Sequence, residues 1–389
     1  MITKISGGKV ISDRKIFDAD VYIKDGRILD VTKEALPFDE EIDAKGNFVA
    51  PSFVEIHCHG GADCDFLDND EESFIKIAKA HAQHGVGTII PTITSSDIKD
   101  TLKSIEVFEN AAKREYNGAE MPGIHLEGPY FAESQKGAQD PRYIRDFDKK
   151  EYEKILSATD KILRWTGAPE RKGAEEFAKT LKKYGCLPCI GHSDADGDEV
   201  KKAFEWGFTH ITHLYSCTST VHRKNAYRYI GIVESAYLID DMTVEIIADG
   251  IHLPADLLKL VYKIKGPEKT ALITDAMRGA GMPDGPSVLG KMDNGLDVII
   301  EDDVAKLPDR SAFAGSVAFF DRLVRNMVKL AEVPLEDAVL MATRTPADIV
   351  GLKNKGSLAK GFDGDVVIFD KDINIIKNIV GGKTVYSNE

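Results

Sequence analysis

Short apolar runs alternate with amphipathic segments through the middle of the chain. Runs of four to seven apolar residues recur near 52–57, 87–93, 122–127, 162–166, 187–192, 209–213, 243–249 and 269–275. Between them, segments such as 71–81 and 174–184 place apolar residues at helical spacing, and Gly185 ends the second. Eight strands that alternate with helices predict a (β/α)8 barrel. A doubly wound open sheet is the alternative, but no G-x-G-x-x-G motif follows the first strand.

Both ends of the chain show the alternating pattern of short strands instead. Residues 9–12, 19–24 and 27–31 alternate apolar with polar positions, and Asp25-Gly26 supplies a hairpin turn. Residues 365–370, 373–380 and 383–386 are similar, with a turn at Gly381-Gly382, and helical segments near 318–332 and 335–344 precede them. We therefore predict a small β-sandwich domain formed from residues 1–50 and 352–389, and a barrel domain formed from residues 51–351.

Composition and charge narrow the class of protein. Among 389 residues, 50 are Lys or Arg and 64 are Asp or Glu, which gives a formal net charge of −14 at pH 7. Such an acidic chain is not expected to bind nucleic acid, and no apolar run is long enough to span a membrane. Five cysteines are too few for a disulfide framework, and the start of the chain lacks a secretory pattern. We expect a cytoplasmic protein.

Histidines and carboxylates concentrate where the predicted strands end, which is the catalytic face of a barrel. The residues concerned are His57, His59, Glu127, His192, His213, His252 and Asp275. His57 and His59 are two residues apart on one strand, so both point to the same side and can bind one cation. Asp275 can accept a proton from water at such a site. The alternatives are solvated imidazoles in a loop and an Asp275 that caps a following helix.

Other polar residues receive different interpretations. His210 precedes His213 by three residues, so we expect it to face the opposite side and to be packed. His81 and His84 are expected on a solvated helix face, and His125 in a structural role below Glu127. Cys186-x-x-Cys189 falls on a strand, where the two thiols face opposite ways. The basic stretch 222–228 either binds a phosphate or carboxylate of a substrate or is a solvated turn.

The motifs resemble the amidohydrolase superfamily, and within it the deacetylases of phosphorylated amino sugars. The resemblance covers nearly the whole chain and is carried by P-x-F-V-E-I-H-x-H-G at 51–60, G-I-H-L-E-G-P at 123–129, K-G-A at 136–138, G-H-S at 191–193, T-H-L at 212–214, I-A-D-G-I-H at 247–252, T-D-A-M at 274–277, A-G-S at 314–316 and G-K at 382–383. The resemblance implies hydrolysis of the acetamide of N-acetylglucosamine 6-phosphate, which releases acetate.

The resemblance also implies a role for each site residue. Glu127, His192 and His213 would bind one divalent metal ion, and His57 and His59 a second one alongside Asp275. Zinc is the expected metal, with ferrous iron as the alternative. Asp275 would activate water and His252 would polarise the acetyl carbonyl. The expected substrate contacts are made by Ala138, Ser216, Cys217, His222, Arg228 and His252, with Arg228 reaching the neighbouring site of a homodimer.

Three alternatives remain at this point. The family usually has Asn-Ala-Met where this chain has Ser216-Cys217-Thr218, and the loop before Arg228 is longer than usual, which keeps the galactosamine epimer open as substrate. A cyclic-amide hydrolase of the dihydroorotase kind typically has a carboxylated lysine at the end of strand four, and the stretch 166–170 contains none. A non-enzymatic barrel is expected to have lost ligands, and all of them are present here.

Overall fold

Seven strands form the first part of the chain in the computed structural model, which describes residues 1–388. They are β1 (Ile2–Ser6), β2 (Lys9–Ser12), β3 (Lys15–Asp18), β4 (Asp20–Lys24), β5 (Arg27–Thr32), β6 (Glu40–Asp43) and β7 (Phe48–Pro51). The predicted hairpin turn between β4 and β5 is present, and Asp25 and Gly26 have φ angles of 50° and 76°. Glycine adopts this left-handed conformation without steric cost, which explains its place in the turn.

Strands and helices then alternate through the middle of the chain. In order they are β8 (Phe53–Cys58), β9 (Gly60–Gly61), β10 (Cys64–Asp65), α1 (Glu71–Gln83), β11 (Val86–Ile93), α2 (Ile98–Ala111), β12 (Ile124–Glu127), α3 (Lys149–Leu156), β13 (Ile162–Gly167), α4 (Ala174–Lys183), β14 (Leu187–Ile190), α5 (Gly197–Trp206), β15 (His210–Ile211), β16 (His222–Lys224), β17 (Tyr227–Tyr229), α6 (Ile232–Leu238), β18 (Thr243–Ile247), α7 (Ala255–Lys265) and β19 (Thr270–Ile273).

Eight of these strands form one parallel sheet in the order β8-β11-β12-β13-β14-β15-β18-β19. The backbone N–H of Asp275, just beyond β19, donates to the carbonyl of His57 in β8 at 2.9 Å and so joins the last strand to the first. Each of the eight apolar runs overlaps one of these strands. The predicted (β/α)8 barrel is therefore confirmed.

A four-stranded antiparallel sheet follows the barrel, and the sequence analysis did not predict it. Its strands are β20 (Gly285–Leu289), β21 (Leu296–Glu301), β22 (Val304–Lys306) and β23 (Phe313–Ser316). The apolar pattern of this segment is short and interrupted by Asp and Gly. The sheet nevertheless has a core, because Val298, Ala305 and Ala314 pack against Ala138 and Met277 of the barrel loops. This inserted sheet therefore covers one side of the catalytic face.

Three helices and three strands complete the chain, namely α8 (Phe320–Lys329), α9 (Leu335–Ala342), α10 (Arg344–Ile349), β24 (Val366–Phe369), β25 (Ile375–Val380) and β26 (Lys383–Ser387). The last strands join β7, β2 and β3 in a sheet ordered β26-β25-β24-β7-β2-β3, which packs on the sheet β5-β4-β1-β6. Ile5, Val21, Val49, Ile368 and Ile379 fill the space between them. The predicted β-sandwich from both termini is confirmed, while its exact sequence limits stay a prediction.

One partly buried ion group links this sandwich to the barrel. The Nζ atom of Lys355 lies 2.5 Å from Glu120, 2.9 Å from Asp363 and 2.7 Å from Asp365. These three carboxylates have the spacing of a cation site, but the ammonium group of Lys355 already lies among them and acts as their cation. No helix among residues 1–388 has the length and apolar character that crossing a bilayer requires.

Candidate metal centre

A cavity of about 330 Å³ opens at the carboxyl ends of the barrel strands. It is lined by most of the residues that the sequence predicted, namely His59, Glu127, Ala138, His192, His213, Ser216, Cys217, His252 and Asp275. His57 is fully buried just beneath it. His222 and Arg228 lie elsewhere, on the exposed hairpin of β16 and β17. The fold therefore brings every predicted metal ligand together and places these two substrate contacts outside the cavity of their own chain.

Three of the predicted ligands have an unusual backbone conformation. His192, His213 and Asp275 each stand two residues beyond the end of a barrel strand, with φ angles of 49°, 29° and 48°. A left-handed conformation at a residue other than glycine costs about 1–3 kcal/mol and persists where the surrounding structure enforces it, often at functional sites. The turn ends the regular alternation of the strand, so these side chains reach the cavity. Asp275 leads into a turn, which rules out the alternative that it caps a helix.

The imidazole rings of His192 and His213 are oriented by backbone carbonyls. The Nδ1 atom of His192 lies 2.9 Å from the carbonyl of Gln135, and that of His213 lies 3.1 Å from the carbonyl of Ser216. Because a carbonyl only accepts hydrogen bonds, Nδ1 carries the proton in both rings. In the neutral rings Nε2 then presents a lone pair, 3.2 Å and 2.9 Å respectively from Oε1 of Glu127.

His57 completes this convergence. Its Nδ1 atom lies 2.7 Å from the carboxylate of Glu245, while its Nε2 atom is buried without a hydrogen-bond partner and lies 3.5 Å from Oε1 of Glu127. Lone pairs that point at a carboxylate oxygen repel it, and a divalent cation between them removes the repulsion. His57, Glu127 and His213 accordingly have ligand atoms within 4.8 Å of one another. This donor set fits a divalent metal ion.

A second group of donors shares His57. The Nε2 atom of His59 lies 3.2 Å from Oδ1 of Asp275 and 3.2 Å from Oε2 of Glu127, and the Nε2 atom of His57 lies 3.4 Å from the same Asp275 oxygen. His57, His59 and Asp275 also lie within 4.8 Å of one another. The site therefore offers two adjacent donor groups, with Glu127 presenting one oxygen to each.

The charges at the site shift the protonation of its members. Burial alone raises the pKa of Glu127, but the adjacent His57, His192 and His213 reverse this and hold the pKa well below its usual range. Burial lowers the pKa of His59, yet hydrogen bonds to Asp275 and Glu127 raise that pKa well above its ordinary value. Protons on the imidazoles therefore compete with a cation, and we expect metal affinity to fall as the pH falls.

Two residues of the site were missed by the sequence analysis. Gln139 donates from Nε2 to Oε2 of Glu127 at 2.7 Å and accepts a hydrogen bond from Thr94. Gln139 directly follows the K-G-A motif, and this position is the feature of the sequence that could have identified it. Asp249 accepts from Nδ1 of His252 at 2.7 Å and from the backbone N–H of His252 at 2.8 Å. These contacts fix the carboxylate of Glu127 and the ring of His252.

The interpretations of His81 and His84 were wrong, and that of His210 was right about its packing but wrong about its direction. His210 is packed, as expected, but it lies inside the barrel and contacts Glu245 at 3.1 Å, because β15 is only two residues long and strand alternation ends before His213. His81 is fully buried and its Nε2 atom lies 3.0 Å from the carbonyl of Gly60. His84 is half-buried, contacts Asp321 at 2.9 Å and stacks on Phe319. The end of α1 that carries His81 and His84 therefore packs against β9 and the start of α8 and does not face solvent.

Three further expectations, on His125, on the two strand cysteines and on the end of β13, agree with the structure. His125 lies fully buried below the site, between Thr92 at 3.1 Å and Thr166 at 2.8 Å. Cys186 and Cys189 are both buried and reduced, outside the cavity. The end of β13 contributes no lysine to the lining of the cavity, which disfavours the dihydroorotase-like alternative.

Fold and donor set together define a metal-dependent hydrolase built on a (β/α)8 barrel. The chain belongs to the amidohydrolase family, whose model matches residues 48–385, and it is a metal-dependent amide hydrolase. It is 32% identical over 373 residues to the N-acetylglucosamine-6-phosphate deacetylase of Lysinibacillus sphaericus. The aligned region covers 94% of this chain and 92% of the relative.

Two further comparisons bear on substrate and fold. The N-acetylgalactosamine-6-phosphate deacetylase of Escherichia coli O157:H7 is 31% identical over 92% of each chain. Among solved structures, a mutant N-acetyl-D-glucosamine-6-phosphate deacetylase from Mycobacterium smegmatis in complex with N-acetyl-D-glucosamine-6-phosphate matches with a TM-score of 0.90 at 28% identity. It covers 100% of this chain and 99% of that chain.

We predict that Glu127→Gln abolishes tight metal binding, because it removes the charge that faces both donor groups. Loss of a residue that only hydrogen-bonds to a metal ligand typically lowers metal affinity by about 10- to 100-fold. Loss of the Glu127 charge should lower metal affinity by more than this. Metal content after dialysis, measured by mass spectrometry, checks this. Glu170→Gln is the matched control, since Glu170 binds Ser193 and Asp194 outside the cavity. Full metal content in Glu127→Gln would contradict the prediction.

Proposed function

We propose that this protein hydrolyses the acetamide of N-acetylglucosamine 6-phosphate to glucosamine 6-phosphate and acetate. The observation that carries the proposal is the convergence of three imidazole Nε2 atoms on Oε1 of Glu127 at the base of an open cavity. The printed activities of relatives that are 32% and 28% identical supply the substrate class. A cavity of this size accommodates a monosaccharide derivative.

The galactosamine epimer is the second candidate substrate. Its support is the relative with 31% identity that is named for N-acetylgalactosamine 6-phosphate. Ser216 and Cys217, which stand where the family usually has Asn and Ala, line the cavity and are free to contact the sugar. The two epimers differ at a single hydroxyl group, so contacts of this kind would decide between them.

In this proposal one or two divalent ions complete the site. Glu127, His192 and His213 would hold the first, and His57, His59 and Asp275 would hold the second. Zinc is the proposed metal because imidazole nitrogen and carboxylate oxygen are its usual ligands, and ferrous iron accepts a similar set. When bound, the metal supplies Lewis-acid chemistry that polarises a carbonyl and makes water more acidic.

Asp275 is the proposed proton carrier. Burial raises its pKa, but His57 and His59 outweigh this and lower the pKa below its ordinary value, so the carboxylate is ionised at neutral pH. An ionised Oδ1 can accept a proton from water as water attacks the acetyl carbonyl carbon. The protonated carboxyl group can then donate this proton to the departing sugar nitrogen, after which Asp275 is ready for the next turnover.

His252 is proposed to orient the acetyl carbonyl. The carboxylate of Asp249 fixes the imidazole by accepting from its Nδ1 atom, and Phe313 packs against the ring with 4.8 Å between centroids. The ring therefore has one orientation at the cavity wall. Because Nδ1 donates to Asp249, Nε2 can donate to the acetyl oxygen only in the doubly protonated ring. A preorganised donor of this kind contributes about 3–4 kcal/mol to stabilisation of a developing oxyanion.

The sugar phosphate is proposed to be bound partly by a second subunit. Ala138, Ser216 and Cys217 line the cavity, whereas His222 and Arg228 project on an exposed hairpin. Tyr227 is 74% exposed and Val221 is 50% exposed on the same hairpin, which favours burial in a homodimer. In the dimer, Arg228 would reach the neighbouring cavity and bind the phosphate.

The proposed location is the cytoplasm. The five cysteines of the chain all lie among the described residues, and none of them is in a disulfide. Reduced thiols are typical of a reducing compartment.

The central experiment measures acetate release from the two phosphorylated N-acetyl sugars by metal-loaded protein. We expect both kcat/KM values to be measurable and the glucosamine derivative to be preferred. Preference for the galactosamine derivative would select the second candidate. Absence of acetate release from either sugar, by protein with full metal content, would overturn the proposed function.

For Asp275→Asn we predict that kcat falls below a tenth of the wild-type value. Proton transfer by a positioned side chain contributes about 10²–10⁴-fold, and an amide cannot accept the proton. Steady-state acetate release gives kcat, and metal analysis of the same sample separates the proton role from metal loss. Asp284→Asn, at an exposed position, is the control. Retention of more than a tenth of kcat with unchanged metal content would exclude this role for Asp275.

For Arg228→Met we predict a KM for the phosphorylated sugar that is about 10- to 100-fold higher, because a hydrogen bond to a charged group contributes about 1.5–3 kcal/mol. The kcat value should change little, since Arg228 is remote from the reacting atoms. Lys224→Met is the control. Lys224 pairs with Tyr227, and adjacent strand residues point to opposite faces, so Lys224 and Arg228 lie on opposite faces of the hairpin. An unchanged KM in Arg228→Met would refute phosphate binding by this residue.

A further inference from the structure

Glu245 is a buried carboxylate on β18 that does not line the cavity. It interrupts the apolar run Thr243–Ile247 and points into the barrel, where its side chain is 0% exposed. A buried carboxylate is costly unless hydrogen bonds and positive charge compensate it. The donors that surround Glu245 therefore show what it does.

Five contacts from three other strands and their ends meet this carboxylate. Its Oε1 atom lies 2.7 Å from His57 Nδ1, 2.9 Å from Arg164 Nη2 and 3.3 Å from the backbone nitrogen of His213. Its Oε2 atom contacts Arg164 Nη1 and lies 3.1 Å from His210 Nε2. Arg164 is itself fully buried, so the two charges neutralise each other inside the barrel.

The hydrogen bonds of Glu245 determine the tautomer of His57. One guanidinium nitrogen of Arg164 donates to each carboxylate oxygen of Glu245, in the two-pronged geometry of an arginine–carboxylate pair, so this carboxylate accepts its hydrogen bonds. His57 Nδ1 must then be the donor. The lone pair of the neutral ring lies on Nε2, which faces Glu127 at 3.5 Å and Asp275 at 3.4 Å.

The same carboxylate also fixes the strand end that carries a second ligand. The backbone N–H of His213 points to Oε1 of Glu245, and the following residue, Leu214, donates its N–H to the backbone carbonyl of Glu245 at 2.8 Å. These contacts hold the left-handed turn at His213, where φ is 29°. Glu245 thus touches two residues of the proposed metal centre that are far apart in sequence.

We propose that Glu245, held by Arg164, is a positioning residue of the metal centre. It sets the tautomer and ring orientation of His57 and the backbone turn that aims His213 at the ion. The inference rests on the proposed metal centre and goes beyond it, because neither residue reaches the cavity. Outer carboxylates that bind the second nitrogen of a ligating imidazole typically contribute about 10- to 100-fold to metal affinity.

A purely structural ion pair with Arg164 would also explain a buried carboxylate. His210 separates the two explanations, because it contacts the same carboxylate but is not itself a proposed metal ligand. Loss of His210 removes one contact of the same buried network, and the contacts from Glu245 to His57 and His213 do not involve it. His210→Gln is therefore the matched control for Glu245→Gln.

The experiment titrates Co²⁺ into the chelator-treated full-length protein and records visible absorption, whose bands report ligand geometry. Glu245→Gln should bind Co²⁺ about 10- to 100-fold more weakly than wild type, with altered bands, while His210→Gln stays within about threefold. Urea unfolding of the ion-free proteins verifies that the variants are folded and compares their stabilities. Wild-type affinity and bands in Glu245→Gln would overturn the inference, as would equal weakening in His210→Gln.

A second variant covers the case in which Glu245→Gln does not fold. Glu245→Asp keeps the charge beside Arg164 but shortens the reach to His57 by one methylene group. Weakened Co²⁺ binding with altered bands supports the inference, and unchanged binding overturns it. Failure of the proposed function is distinct, because it is seen as absence of acetate release by metal-loaded wild type and leaves Co²⁺ binding unaffected. Wild type that binds no Co²⁺ would instead overturn the metal centre and this inference with it.

Discussion

Two carboxylates buried inside a closed barrel impose the charge balance on which the site depends. Glu245 is matched by the guanidinium of Arg164, so its charge is compensated within the protein. Glu127 has only imidazoles and the amide of Gln139 around it, and its compensation must come from protons or a cation. A carboxylate in a low-dielectric interior is costly without such a partner. The folded protein therefore binds positive charge favourably at Glu127.

The segments around this centre give the cavity its particular shape. The inserted sheet contributes Leu289, Phe313 and Gly315 to the cavity wall, and the loop before Gln139 contributes Ala138. Barrels of one family share the strand ends that carry the chemistry and differ in the loops above them. In the proposed function, metal binding is a property of the barrel, whereas the choice among amides would depend on these added segments and on the hairpin that carries Arg228.

The accuracy of the sequence analysis followed the regularity of the elements. The H-x-H pair was located correctly because β8 is six residues long and keeps its alternation through His57. The orientation of His210 was wrong because β15 has two residues and a left-handed turn follows it. His81 was assigned to solvent because its helix lies far from any predicted strand end, yet the ring is buried and lies 3.0 Å from the carbonyl of Gly60 in β9. Each of three apolar strands is interrupted by a charged residue, namely Glu55, Arg164 or Glu245. This pattern is the feature of the sequence that indicates buried charges inside the barrel.

By itself, the sequence determined the barrel, the sandwich and the residue types that meet at the strand ends. These follow from local periodicity, which burial of apolar surface imposes on every strand and helix. Only the tertiary structure decided which nitrogen of His57 and His192 faces the site, because that depends on Glu245 and Gln135, which approach from other parts of the chain. For His213 the partner is the carbonyl of Ser216 in the turn that follows it. Hydrogen bonds between residues distant in sequence leave no periodic trace, and the closed barrel is what brings their partners together.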